Sequence, residues 1–479
     1  MKILLAASEM APLARTGGLG DVLEALPGAL AAAGHEVSVV LPCYRGLRTD
    51  LKLGAQSTGV AIPIQIGGKV HVAEVLQATT PNGKQVFLVR RDEYFDRAGL
   101  YGEAGRDYED NAERFIWFSK AVVELARRLV PGPDIVHVHD WQTALVPMLL
   151  KDRRLPFKTV LTIHNLAYQG GFWGHDFGLT NLHSSYFGAR GVEFYGNLNL
   201  LKGGILFADQ VMTVSDRYAH EIQTPEYGCG LDAVIRENAG KLSGVLNGAD
   251  YATWDPSIDT RLPKRFSPED LAGKKASRAA LLKECGLEAS PRGPVFGMVS
   301  RLAEQKGIDL LLPLFDRLLA DDVRLVILGE GDPAYERELL IASKRHASRF
   351  AYRKEMNDRL AHLIVAGADV SLMPSHFEPA GLVAMYSLKY GTLPIARATG
   401  GLFQMIRDYD PAHDTGNGLV FYDYTAAALW DTIVRAKRYF EDTEHWEKLM
   451  RRAMACDFSW ERAVKKYEAI YRRALGKRP

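Results

Sequence analysis

Cysteine, long apolar runs and net charge are all scarce in this 479-residue sequence. The four cysteines, Cys43, Cys229, Cys285 and Cys456, are scattered and form no CxxC pair. That spacing argues against a disulfide scaffold or a zinc cluster and for reduced, mostly buried thiols in a cytoplasm. No apolar stretch approaches the roughly 20 residues that a membrane-spanning helix requires. The opening run, MKILLAASE, reads as a strand and is too short for the apolar region of a signal peptide. With 59 Lys and Arg against 58 Asp and Glu, the formal charge is +1. Neither the global basic field of a nucleic-acid binder nor an acidic, disordered composition is present.

What is present is an ordinary globular composition, 47% hydrophobic and 24% charged, on a chain too long for one core. Short β-branched runs alternate with helical periodicity, the pattern of parallel sheets flanked by helices. KILLAAS from Lys2 reads as a strand, followed by the glycine loop RTGGLGD (Arg15 to Asp21) and a helix carrying Val22, Leu26, Ala29 and Leu30. Gly34 stops that helix, and EVSVVLP, DIVHVHD, KTVLTIH and QVMTVS read as further strands. From about Asn247 to Pro294 the rhythm is lost to proline turns and a charged helix near Lys274 to Glu284, which reads as a crossover. PVFGMVSRL then restarts the pattern, with a helix expected over IDLLLPLFDRLLA from Ile308 and strands at VRLVILGEG, ADVSLMPS and LPIARAT. Two Rossmann-like halves follow from this reading. Thr16-Gly17-Gly18-Leu19 is echoed by Thr399-Gly400-Gly401-Leu402, each between a strand and a helix, where backbone N–H groups can meet an anion.

Several side chains lie at the expected carboxyl ends of strands. Arg301 and Lys306, five residues apart in SRLAEQKG, suit a diphosphate: one fork-shaped cation and one point charge. Glu378, in SHFEPAGL, can accept hydrogen bonds from sugar hydroxyls, while N–H groups after Gly381 meet a phosphate. His137 and His139 share one face of a strand, with Asp140 beside them and His164 and Asn165 at the end of the next. No further carboxylate or cysteine completes a metal ligand set there, so hydrogen bonding to a sugar is the better chemical reading. Tyr101, Trp141, Phe172 and Trp173 can offer aromatic faces to sugar rings or fill cores.

These strings together resemble the bacterial glycogen and plant starch synthases. SEMAPLARTGGLGDV, VHVHDWQTALVP, TIHNLAYQG, SGVLNGAD, VSRLAEQKGIDL, SHFEPAGL and DFSWERAVKKY occur in the family's order over nearly the whole chain. The resemblance implies a GT-B fold of two Rossmann-like domains facing across a cleft. Residues 1–250 would bind the acceptor, 251–456 the nucleotide sugar, and 457–479 would form a helix crossing back to the first domain. It implies glucose transfer from ADP-glucose to the non-reducing end of an α-1,4-glucan (glycogen or a maltooligosaccharide), with retained configuration and without metal or other cofactor. Neither nucleic acid nor membrane is an expected partner.

Carried over by position, Arg301 and Lys306 would bind the diphosphate, Glu378 would hold the donor glucose and His164 would lie beside its anomeric carbon. Arg15, Gly18, Asp21, Asp140, Asn165, Asn247, Gly381, Leu382 and Val383 would complete the donor site, with Met356 near the adenine. Tyr101 and Trp141 would pack against the acceptor. Departures from the family pattern are Arg15 for the usual lysine, Gln404 for the usual aspartate, and His376, Ala380, Val383 and Ala384 in the SHFEPAGLVA string. They keep open a related retaining transferase with another donor or acceptor. A catalytically silent glucan-binding relative is the alternative of a different class.

Overall fold

A computed structural model describes residues 1–477 apart from 48, 51, 52, 104, 130, 131, 355 and 356. The chain divides into two compact units, Met1–Gly248 together with Trp460–Pro479, and Ala249–Ser459. Met356 lies outside the described residues. Among those described, no helix is long and apolar enough to cross a membrane.

The first unit is built on a nine-stranded sheet. From edge to edge its strands are Leu242–Gly244, Gln210–Thr213, Lys158–Ile163, Ile135–His139, Lys2–Ala6, Glu36–Pro42, Gln85–Arg90, Lys69–Thr79 and Gln56–Ile66. The first seven pair in parallel, and the last two form an antiparallel hairpin. Burial follows this division: Ile135–His139 is buried at every position, whereas the hairpin alternates buried and exposed residues. The edge strand Gln56–Ile66 carries Pro63 and a register shift between Ser57 and Ala61, both of which blunt an open edge.

The helix Trp460–Ala474 belongs to this unit. Its buried face presents Trp460, Val464, Tyr467, Ile470 and Tyr471 at three- and four-residue steps. Gly248 is where the chain leaves the unit, and a Cβ there would lie 2.4 Å from the Trp460 ring. Only glycine lets the departing backbone lie on that indole.

The second unit has a six-stranded, wholly parallel sheet in the order Phe350–Arg353, Arg324–Leu328, Val295–Val299, Val370–Met373, Leu393–Arg397, Leu419–Phe421. The proline-rich stretch after Gly248 is an integral part of it. Trp254 stacks on His362 (centroids 3.6 Å apart) and Tyr386 (4.3 Å). The buried Asp259 carboxylate accepts from Tyr390 Oη and pairs with His362 Nδ1, each at 2.7 Å.

Two expectations are corrected. The helix expected from Ile308 is broken into Ile308–Leu311, a 3-10 turn Leu312–Leu314, and Phe315–Leu319. Pro313 has no N–H to continue the α-helical ladder. The cysteines are free but not mostly buried: Cys43 and Cys285 are, Cys456 is half-buried and Cys229 is exposed.

Two tyrosines of the last helix should respond oppositely to loss of a hydroxyl. Tyr467 Oη is buried without a partner, whereas Tyr471 Oη bonds His137 Nδ1 at 2.9 Å. Tyr467→Phe should raise unfolding free energy by about 1 kcal/mol, and Tyr471→Phe should lower it by about 1–3 kcal/mol by orphaning a buried imidazole nitrogen. Urea unfolding of the two variants measures this, and equal shifts would contradict it.

Candidate functional site

Because seven strands of the first sheet are parallel, their carboxyl ends share one edge. Asp140, His164 and Asn165 follow strands directly there, and Glu9 and Asn247 lie three residues past Lys2–Ala6 and Leu242–Gly244. Glu9, only 4% exposed, organises the glycine loop. Its carboxylate accepts from Thr16 N and Thr16 Oγ1 at 2.7 Å, Gly17 N at 3.2 Å and Tyr101 Oη at 2.7 Å. Two of this loop's N–H groups, those of Thr16 and Gly17, thus serve an internal carboxylate rather than a bound anion. Gly18 is the first residue of the helix Gly18–Ala32. Arg15 is half-exposed and paired with Asp21 at 2.9 Å.

Beside this loop, Asp140 adopts a left-handed φ of +56° and accepts from His164 N at 2.7 Å. Burial pushes its pKa up to about 7. His137 and His139 stack with centroids 4.2 Å apart, and His139 Nδ1 lies 3.0 Å from His164 Nε2. His139 Nε2 is buried without a partner. An orphaned N–H costs more than an orphaned lone pair, so the proton is assigned to His139 Nδ1, which donates to His164 Nε2. His164 then carries its own proton on Nδ1 and presents a donor. Asn247 is buried with its amide oxygen unpartnered. Asn165 Oδ1 accepts from Ala167 N at 3.0 Å and shapes the turn.

The aromatic residues separate into two groups. Trp141 lies edge-on to Phe115 (5.0 Å) and Phe172 (5.5 Å), with Tyr101 at 6.5 Å. The Gly170 backbone is so close that a Cβ would lie 2.6 Å from the Trp141 ring. Trp173 is not in that cluster; its ring lies tilted against that of His175, with centroids 4.2 Å apart.

In the second unit, Lys306 Nζ lies 2.5 Å from Glu378 Oε2, and Ser375 Oγ donates to the same oxygen at 3.1 Å. Both members of the ion pair are largely buried, with side-chain exposures of 20% and 12%. Gly307, at φ +71°, fits where a Cβ would lie 2.0 Å from Pro374 O. The 376–378 segment is strapped to the lysine loop by His376 N→Gln305 O (2.8 Å) and Gln305 Nε2→Phe377 O (3.2 Å). Arg301 is exposed in the same loop.

Gly381, at φ +85° and ψ +52°, caps the helix Leu382–Lys389 with no side-chain acceptor. Ala384 N turns back to Gly381 O, which leaves the half-buried N–H groups of Leu382 and Val383 for an anion. The second glycine pair is again not a free cradle. Gly401 N donates to Glu378 O at 2.9 Å, and a Cβ on Gly400 or Gly401 would lie 2.0 Å from Glu378 O or 1.9 Å from Ala380 O. These glycines let one backbone rest on another. His376 packs its ring 4.6 Å from Tyr424, while Ala384 is fully buried.

Sequence reasoning missed Glu9, Ser375 and Tyr471. Glu9 carried one signal, an acid just past the first strand. Tyr471 carried none, because its partner is 334 positions away.

Residues 2–237 match the starch synthase catalytic domain, and residues 287–453 match the glycosyl transferases group 1 family. A glycogen synthase of Opitutus terrae is 44% identical, over 99% of this chain and 100% of that protein. One of Koribacter versatilis is 45% identical, over 99% and 98%. The solved catalytic domain of starch synthase IV from Arabidopsis thaliana, bound to ADP and acarbose, is similar with a TM-score of 0.92 at 32% identity, covering 99% of each chain. A sucrose-phosphate synthase of Thermosynechococcus elongatus shares the fold, with a TM-score of 0.63 at 18% identity over 99% and 100%. Fold and families define a two-domain glycosyltransferase of the GT-B type. The chain belongs to the glycogen (starch) synthase family.

Two outcomes follow from the geometry. Gly401→Ala should displace the 378–381 loop and lower kcat/KM about a hundredfold, measured by initial rates; an unimpaired variant would contradict the packing. Burial holds His137 and His164 down to about 3, and His139 well below its usual value. Below about pH 6.5 the unfolded chain takes up protons that these folded imidazoles refuse, so stability falls as pH drops toward 3. Asp140 opposes this, one group against three, because its raised pKa means that the folded state holds a proton the unfolded chain has lost. Urea midpoints should therefore decline from pH 6.5 to pH 4, and a rise would contradict the assignment.

Proposed function

We propose that the chain lengthens an α-1,4-glucan by transferring glucose from ADP-glucose to the chain's non-reducing end, with retention at the anomeric carbon. The observation that carries this reading is the Lys306–Glu378 pair, beside a helix whose first N–H groups, at Leu382 and Val383, lack capping partners. A diphosphate needs cationic and N–H donors, and a bound glucose needs an acceptor for its hydroxyls; this loop holds both.

In the proposed reaction the acceptor's 4-hydroxyl attacks the anomeric carbon on the face the diphosphate leaves. The carbon–oxygen bond to the phosphate breaks, and the hydroxyl proton passes to the departing phosphate oxygen. Arg301, Lys306 and the Leu382 and Val383 N–H groups stabilise the charge that grows on the leaving group. His164 Nδ1–H donates to a donor-sugar hydroxyl, and the unpartnered Asn247 oxygen accepts from a ligand. Gly18, Asp140 and Asn165 are assigned to the donor, as are Arg15 and Asp21, which act as a pair. Tyr101 and Trp141 pack against the acceptor, glycogen or a maltooligosaccharide. The chemistry requires no resident cofactor, since protein groups meet the leaving-group charge. Four free cysteines, one of them exposed, suit a reducing cytoplasm.

Supplied with a maltooligosaccharide primer, the protein should extend it with ADP-glucose at a rate at least about tenfold above UDP-glucose. Lys306→Ala should reduce kcat by about a hundred- to a thousandfold. The reading fails if no glucose donor extends the primer while a nucleotide sugar of another kind does.

A further inference from the structure

Lys306 and Glu378 stand on segments with little rigidity of their own. Lys306 ends a 3-10 turn, Glu304–Lys306, and the helix after it, Ile308–Leu311, is four residues long. A helix that short is not stable unaided. Glu378 lies in an irregular stretch between the strand Val370–Met373 and the helix that starts at Leu382. In the proposed reaction the pair gives up its own ion bond, because the lysine turns to the diphosphate and the carboxylate to the glucose. Another tie must then keep the two loops in register. The backbone straps from Gln305 join the loops to each other, but they do not hold the helical turn behind Lys306.

A third loop supplies that anchor. Tyr424 lies three residues past the strand Leu419–Phe421, which two other strands separate from Val295–Val299. At about 4.8 Å per strand, its loop folds back over roughly 14 Å of sheet edge. Tyr424 Oη donates to Asp309 Oδ1 at 2.7 Å, in the short helix behind Lys306. Burial, and after it the Asp309 carboxylate, raise the phenol's pKa from its ordinary value, so it keeps the proton it donates. The same ring lies 4.6 Å from the imidazole of His376, two residues before Glu378. Tyr424 thus touches both loops.

Arg397, the last residue of the neighbouring strand, completes the group. Its Nη1 donates to His376 O at 2.5 Å and its Nε to Tyr422 O at 3.1 Å, with Cζ 5.3 Å from the centre of the Tyr424 ring. One planar guanidinium thereby ties the Glu378 loop to the loop that carries Tyr424.

We propose that Tyr424 is a positioning residue for glucosyl transfer, with Arg397 as its support, and that it holds Lys306 and Glu378 in register while the donor separates them. Neither side chain needs to touch the donor; both act through the two loops. Preorganised donors stabilise a leaving group because they need no rearrangement as its charge grows, and a misplacement of about 1 Å suffices to cost a hundredfold in rate. This inference rests on the reading of the site as one that transfers glucose from a nucleoside diphosphate.

The test compares Tyr424→Phe, Arg397→Lys, Asp309→Ala and Asp309→Asn in the full-length protein, by initial rates with ADP-glucose and a maltooligosaccharide primer. Tyr424→Phe keeps the ring and removes the bond to Asp309. Its kcat should fall about tenfold, while Tm shifts by no more than about 2 °C. Arg397→Lys, which keeps the charge but loses the fork, and Asp309→Ala should lose as much. Asp309→Asn retains an acceptor for the phenol and should keep most of the rate. A role confined to folding does not predict the next comparison: Tyr424→Phe introduced into Lys306→Ala should cost nothing further, because the positioning acts through that lysine. An unchanged kcat in Tyr424→Phe would overturn the proposal, and so would losses that multiply in the double variant. Calorimetric titration with ADP separates this outcome from the elongation reading, since it needs no acceptor. If the unmodified protein extended no glucan, yet Tyr424→Phe weakened ADP about fivefold in that protein and not in Lys306→Ala, the elongation reading would fall and the positioning would stand.

Discussion

Three carbonyl oxygens, those of Pro374, Glu378 and Ala380, occupy the places where side chains on Gly307, Gly400 and Gly401 would have to go. That backbone-on-backbone contact sets the site in the second unit. It brings the loop after Val295–Val299 against the loop after Val370–Met373, so Lys306 and Glu378 meet although 72 positions separate them. The same contact fixes Gly381 in its left-handed conformation over Leu402, and with it the direction of the helix N-terminus at Leu382. Cation, carboxylate and N–H donors therefore form one rigid group, as stabilisation of a leaving diphosphate requires.

The first unit solves a related problem with a buried carboxylate. Glu9 fastens the glycine loop and the Tyr101 hydroxyl, while the histidine pair behind His164 fixes which ring nitrogen carries the proton. The last helix supports this arrangement through Tyr471 and His137, so a segment more than 300 positions away in sequence helps to order the sheet edge. Burial keeps all three imidazoles neutral, which makes them hydrogen-bonding groups rather than charges.

The sequence made the parallel strands legible because strands covered on both faces are nearly continuous apolar runs, as in KILLA and IVHVH. The hairpin Gln56–Thr79 was not legible: Gly59, Pro63 and alternating exposed residues give it the composition of a loop. Pro313 was visible, yet its neighbours' apolar spacing masked the break it imposes. At the site, Arg301, Lys306, Glu378 and His164 could be picked out as strand-end residues, and the family resemblance supplied their roles. The glycine pairs were legible only in part, for a physical reason. A glycine that faces an anion and one that faces another backbone look alike in sequence, and only the packing around Gly401 and Glu9 tells them apart.

The central claim is that the Lys306–Glu378 pair divides its work, the lysine meeting the diphosphate and the carboxylate the donor glucose. Calorimetric titration of the unmodified protein, Lys306→Ala and Glu378→Gln with ADP and with ADP-glucose tests it most directly. The account predicts that Lys306→Ala weakens both ligands by at least about tenfold. Glu378→Gln should weaken ADP-glucose while leaving ADP as tight or tighter, because the lysine is released from its partner. Equal affinity of all three proteins for ADP-glucose would contradict it.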